Sequence, residues 1–237
     1  MTRVLVDCGF GLKHLECRLA EAGVQSEDID AMFITHEHGD HIGCASAFAR
    51  RFKIPVWMSR GTQMAIGTCD WGGLLNTARD GQSIDLANLQ LMPFTVPHDA
   101  REPLQLTCSD GTSKLGILTD LGHATPHVTA QLALCHAMLI ECNHDSEMLA
   151  LSAYPTFLKQ RVGGPHGHLS NQAAADIVRS VWHAGLHTLV AAHLSAQNNR
   201  PDLAKLVLSE AMGCEREAIL VAGAREGSPW VEVSQSV

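Results

Sequence analysis

Short apolar runs of strand length alternate with polar turns along this chain. AMFIT (31–35), IPVWM (54–58) and CHAMLIECN (135–143) have the length and bulky apolar content of buried strands. TRVLVDCG (2–9) predicts a further strand, ending in Asp7 and turning at Gly9 and Gly11. In LKHLECRLAEAG (12–23) the leucines at 12, 15 and 19 fall at helical spacing, and Gly23 closes the run. IGCASAFARRF (42–52) reads as a short helix with small residues on one face, whereas residues 67–82 carry no period and read as a loop. Strands then follow quickly at 89–98, 103–110 and 114–120, the last two joined across SDGTSK as a hairpin. NQAAADIVRSVWHAG (171–185) predicts a helix capped by Ser170 or Asn171, and HTLVAAHLS (187–195) a strand. PDLAKLVLSEAMG (201–213) has proline in its first turn and glycine past its end, and EAILVAG (217–223) and WVEVSQ (230–235) are expected to close the chain as strands.

The order is mixed, with helix–strand units at both ends and a meander of strands between them. No linker, charge block or internal repeat divides it, so one α/β domain over residues 1–237 is expected, with mainly antiparallel or mixed sheets covered by helices. Hydrophobic residues make up 46% of the chain and charged ones 18%, which supports a substantial core. No segment approaches the roughly 18 apolar residues of a membrane span. MTRVLVDCGFG lacks an export-signal pattern, and a cytoplasmic protein without membrane attachment is expected. The eight cysteines are scattered without a CxxC pair and read as reduced thiols. The net charge of −8 offers no global attraction to nucleic acid, so an anionic substrate would need a local cationic centre.

Histidine changes the picture. There are 14, and several, such as His14, His136, His183 and His187, have no liganding neighbours in sequence. The others cluster: FITHEHGDHIGC places His36, His38, Asp40 and His41 directly after a buried strand. Three further strand ends carry the same residue types, with His98 after TVP, Asp120 after GILT and His193 after LVAA. Seven imidazole and carboxylate donors divide into two sets of three with one carboxylate shared, and they suit Zn, Mn or Fe.

THEHGDH resembles the HxHxDH signature of the metallo-β-lactamase superfamily, whose fold is a four-layer αββα sandwich. DCG (7–9), PHDA (97–100), TDLGH (119–123) and AHLSAQNN (192–199) fall in that family's order, so the resemblance spans essentially the whole chain. NHDSEML (143–149), RVGGPHGHLSN (161–171) and HLSAQNN are similar to the YycJ/WalJ-like branch, whose best-known members look like metal-dependent 5′-to-3′ DNA exonucleases. The resemblance implies that His36, His38 and His98 hold one metal and Asp40, His41 and His193 the other, with Asp120 bridging. It implies that His168, in GHLSN, contacts the scissile phosphate, and that Asp7 orients the histidine turn. His144 and Asp145 follow a buried strand and either face the site or cap the next turn. Relatives usually begin with a Gly/Ser-rich strand pair before the strand matching TRVLVDCGF. The sequence given opens on that strand, so two readings stand open: its start is assigned too far downstream, or the sandwich lacks its first strand pair.

The chemistry expected is phosphodiester hydrolysis. Two divalent metal ions, Zn or Mn with Fe also suited, would lower the pKa of a bridging water and offset the negative net charge. Asp40, Asp120 and His168 are the residues expected to take part, with His168 donating to the phosphate or leaving oxygen as charge grows. The partner expected is a DNA end. Alternatives are hydrolysis of a small phosphodiester, ester or thioester, RNA processing on the same metal site, or a non-catalytic metal-dependent scaffold, against which the complete ligand set argues. Oligomeric state is not legible. Nor is any substrate groove: no basic run or interleaved aromatics appear, and aromatic residues are only 5% of the chain.

Overall fold

The computed structural model describes residues 1–234, which form two compact units, each discontinuous in sequence. The first comprises Met1–Thr95 with Ala100–Leu104, and the second Val96–Asp99 with the chain from Gln105 onward.

In the first unit, β1 (Val4–Val6), β2 (Ala31–Phe33), β3 (Val56–Ser59) and β4 (Leu75–Ala78) make a four-stranded sheet in that order, parallel throughout. This departs from the mainly antiparallel or mixed expectation. β1, β2 and β3 are each followed by a helix, and these helical crossovers return the chain to run parallel. The helices are α1 (Leu12–Glu21), α2 (Gly39–Ile42) with α3 (Ala45–Phe52), and α4 (Arg60–Ala65). Leu15, Met32, Ile34, Phe48, Val56, Met58 and Trp71 are buried together as the core. The expected loop over 67–82 contains β4: Asn76 and Thr77 are exposed, so main-chain pairing to β3 holds this edge strand. β5 (Ile84–Leu86) and β6 (Leu89–Thr95) add an antiparallel hairpin.

In the second unit, β7 (Leu104–Ser109), whose first residue belongs to the first unit, pairs antiparallel with β8 (Lys114–Leu118). Parallel pairing then continues through β9 (Ala137–Glu141), β10 (Thr188–Ala192) and β11 (Leu220–Val221). Between them run α5 (Pro126–Leu132), α6 (Ser146–Leu151), α7 (Thr156–Val162), α8 (Asn171–Val181) and α9 (Pro201–Met212). The hydroxyl of Ser170 accepts from Ala173 N and caps α8, and Gly213 ends α9 in the left-handed region. α8 turns Ala174, Ala175, Ile177, Val178 and Val181 inward and packs along α9, which buries Ala204 and Leu208.

The closing strand expected at 230–235 is not formed over its described residues 230–234; residue 235 lies outside them. WVEVS alternates as a strand would, but Trp230 is 79% exposed. No described helix is long and apolar enough to cross a membrane.

Candidate functional site

The first unit brings four of the expected ligands into one turn. His36 follows β2, and His38, Asp40 and His41 lie on or directly before the single helical turn α2, which the sequence pattern did not separate from α3. The turn fits closely over Gly9, two residues after Asp7: a Cβ there would sit 1.7 Å from the Asp40 carbonyl oxygen, so only glycine fits. Asp7, just past β1, holds a left-handed backbone (φ 61°) and turns its carboxylate toward the histidines. It accepts from Thr35 N at 2.8 Å, from the Thr35 hydroxyl at 2.9 Å and from His41 Nδ1 at 2.7 Å.

These bonds decide which imidazole nitrogen carries the proton. His41 donates Nδ1–H to Asp7, which makes Nε2 its lone-pair nitrogen, 3.7 Å from Asp40 Oδ2. The Thr35 hydroxyl is committed to Asp7 and so accepts from His36 Nδ1, 3.0 Å away. His36 Nε2 is then the lone-pair atom, 3.0 Å from His38 Nδ1. Two ring nitrogens at that separation, on a fully buried ring and its half-buried neighbour, suit a shared cation.

The second unit gathers the rest around a residue that sequence reasoning passed over. Glu141, the last residue of β9, is fully buried. Its Oε1 accepts from His168 Nδ1 and His193 Nδ1, both at 2.8 Å, and its Oε2 from Leu121 N and Leu169 N, both at 3.0 Å. Burial alone would push this carboxyl up; the bonds from His168 and His193 outweigh it and hold the group below the usual carboxylate range. The available signal was a glutamate inside the apolar run CHAMLIECN. A carboxylate there costs several kcal/mol unless donors surround it.

Asp120, 2% exposed, and His193 both adopt left-handed backbones just past β8 and β10, with φ of 51° and 57°. Such conformations are sparsely populated for residues other than glycine and gather at functional sites. Asp120 Oδ1 lies 3.2 Å from His168 Nδ1, 3.5 Å from His193 Nδ1 and 3.8 Å from His98 Nε2. The His98 loop is anchored by Gly122 N donating to the Pro97 carbonyl and by His98 Nδ1 donating to the Gly167 carbonyl. His98 too therefore presents Nε2; burial pushes its ring below the ordinary imidazole value although Asp120 pulls the other way. For His168, burial lowers and the bonds to Asp120 and Glu141 raise, lifting it to about 9. Asp120, Glu141, His168 and His193 each offer a donor atom within 4.8 Å of the others, a spacing at which a cation can be held.

His36, His41, His98 and His193 thus share one arrangement: Nδ1–H is tied to an acceptor and Nε2 is left as the ligand-type nitrogen. That is how metal-binding imidazoles are held, and the donor set fits divalent metal.

The remaining expected residues are placed differently. Asp145 Oδ1 accepts from Glu147 N and Met148 N and so caps α6. His144 is 4% exposed, with no hydrogen-bond partner on Nδ1 among the described residues, and burial pushes its ring below the ordinary value. Glu37, between two of the histidines, turns to Arg101 N at 2.7 Å.

Residues 2–194 match the beta-lactamase superfamily domain. The chain is 29% identical over 217 residues to an exodeoxyribonuclease YycJ of Bacillus anthracis, covering 89% of this chain and 81% of that protein. It is also 29% identical over 211 residues to an exodeoxyribonuclease WalJ of Streptococcus pneumoniae, covering 87% and 78%. Its fold is similar to the crystal structure of the metallo-beta-lactamase fold protein YhfI from Bacillus subtilis, with a TM-score of 0.71, 16% identity, and coverage of 93% of this chain and 84% of that one. A mixed α/β fold with two sheets, histidine and aspartate donors after strand ends, and a family match through both units lead to one conclusion: the chain belongs to the beta-lactamase superfamily, as a metal-dependent hydrolase.

Proposed function

We propose that this chain is a phosphodiesterase that removes nucleotides from the 5′ end of DNA in the cytoplasm, working as one hydrolase domain with two divalent metal ions, Zn or Mn. The observation that carries this reading is His168: it is held between Asp120 and Glu141, yet its side chain stays 24% exposed. A fixed imidazole that solvent can reach suits a phosphate oxygen or an alkoxide leaving group. The relatives named exodeoxyribonucleases support a DNA substrate.

In this reading His36, His38 and His98 hold one metal, Asp40, His41 and His193 the other, and Asp120 is shared. When bound, two such cations supply Lewis-acid polarisation of the phosphoryl group and an acidified water. Thr35, Asp7, the Gly167 carbonyl and Glu141 keep the imidazoles in the ligating tautomer. His168 donates from Nε2 toward the departing oxygen while Glu141 and Asp120 stabilise its charge. Asp145 takes no part beyond its helix cap, and His144 supports the His168 loop.

The test is end-labelled duplex DNA incubated with metal-stripped protein, with Mn²⁺, Zn²⁺ or nothing added back. Nucleotide release from the 5′ end should require metal, vanish in Asp120→Asn, and fall by about 10²- to 10⁴-fold in His168→Ala. No release with either metal, alongside metal-dependent hydrolysis of bis(p-nitrophenyl) phosphate or of a thioester, would reject the DNA reading in favour of a small substrate.

A further inference from the structure

A groove of about 610 Å³ opens in the first unit, lined by Arg60, Arg79 and Arg101 together with Met64, Asp80 and Glu102. The three arginines are exposed, and among the described residues none of their guanidinium groups forms an ion pair. Both carboxylates accept hydrogen bonds: Glu102 from Gly61 N, and Asp80 from Thr95 N at 3.2 Å and the Thr95 hydroxyl at 3.3 Å. In a chain of net charge −8 this is a local surplus of positive charge.

Its position follows from the parallel sheet, whose strands all end on one edge. His36 lies just past the end of β2, Arg60 directly after β3, and Arg79 directly after β4, with Ser59 and Ala78 in register. At about 4.8 Å per strand, the arginines extend roughly 10 Å along the edge from the histidine turn. Arg101 is tied to the same turn, since Glu37, between His36 and His38, accepts from Arg101 N at 2.7 Å and from the Thr62 hydroxyl at 3.4 Å. Guanidinium groups bind phosphate in a fork of donors and keep their charge at any working pH. An edge that carries metal-type ligands at one end and unpaired arginines at the other suits a polyanion longer than the bond being cut.

We propose that this groove binds the sugar–phosphate backbone of a nucleic-acid strand whose neighbouring phosphodiester lies at the histidine turn. The inference rests on the phosphodiesterase function proposed above and adds where the strand runs. The contacts are to phosphate, so they hold the strand without reading its sequence.

The experiment uses the full metal-loaded chain and short fluorescein-labelled single strands of DNA and of RNA, phosphorothioate-linked to resist cleavage. Binding is followed by anisotropy across a salt series. The variant is Arg60→Gln/Arg79→Gln/Arg101→Gln; the control, Lys13→Gln/Arg216→Gln/Arg225→Gln, removes the same charge from exposed positions elsewhere. With about 0.7 of salt slope per single-strand phosphate contact, the groove variant should lose about 2 from the slope and bind at least about tenfold more weakly. Equal loss with both strands assigns the groove to the shared backbone, and loss with one alone identifies the strand it serves. Hydrolysis of bis(p-nitrophenyl) phosphate, too short to reach the groove, should stay within about twofold of wild type. Wild-type affinity and slope in the groove variant, or an equal loss in the control, would overturn the proposal. The readouts separate the two ideas: lost strand binding with diester hydrolysis intact speaks to the groove alone, whereas absent hydrolysis with arginine-dependent binding speaks against the phosphodiesterase reading alone.

Discussion

Asp7 shows how much of this site is held by residues that need touch no substrate. Its carboxylate is the acceptor for three donors, Thr35 N, the Thr35 hydroxyl and His41 Nδ1. Asp7→Ala should cost about 1–3 kcal/mol for stranding the buried donors of Thr35 and His41. It should also weaken metal binding about 10- to 100-fold, because His41 loses the partner that sets its tautomer. Competition against a chromophoric chelator and a urea midpoint check both; wild-type metal affinity in Asp7→Ala would remove this role. Asp7 was legible through the family resemblance, which matches it at the end of the strand run TRVLVDCG. Glu141 was passed over because one acidic residue in CHAMLIECN looks like a polar interruption until four donors are seen around it. For Asp145, sequence left two readings open, and its carboxylate accepts from main-chain amides of α6.

Among the elements, the β7–β8 hairpin makes a pH prediction. Asp110 Oδ1 accepts from Ser113 N, Thr112 N and the Thr112 hydroxyl, and these bonds, Ser113 first, lower its carboxyl from 3.8 to about 2. A folded value below the unfolded one means that the stabilisation is complete above about 3.8 and is lost as pH falls toward 2. Asp110→Asn keeps an acceptor that does not titrate. Between pH 4 and 2 the wild-type urea midpoint should therefore fall more steeply than the variant's; parallel curves would show that the turn carries no such linkage. The hairpin itself was readable from SDGTSK, and α8 and α9 from their caps and apolar spacing, since these signals are local. β4 was not, because an edge strand with exposed Asn76 and Thr77 is specified by the partner that offers it main-chain groups. WVEVS failed in the opposite sense: it alternates as a strand would, yet its described residues 230–234 form none.

Across the whole molecule, burial sorts the thiols. Cys17, Cys69 and Cys214 are exposed, whereas Cys8, Cys135 and Cys142 are buried, and burial raises all three of the latter, Cys135 to about 11. Thiolate is the reacting form, so a disulfide reagent should titrate the exposed three in the native protein and reach the buried three only after unfolding. Rapid native modification of Cys8, next to Asp7, would mean that the histidine turn opens readily. The same contrast between local and distant information runs through the rest of the chain. Candidate ligand types and their order after strand ends could be read directly: a metal needs particular atoms, and a strand end places them a few residues from an apolar run. The acceptors that hold those ligands could not. Gly167 anchors His98, and Glu141 anchors His193, across 69 and 52 residues of chain, distances that only packing closes. Arg60, Arg79 and Arg101 likewise look like isolated charges in a net-acidic sequence. Parallel strands bring the ends that carry Arg60 and Arg79 to a common edge, the bond from Arg101 N to Glu37 draws Arg101 to the same groove, and a sum over the chain hides where its charges meet.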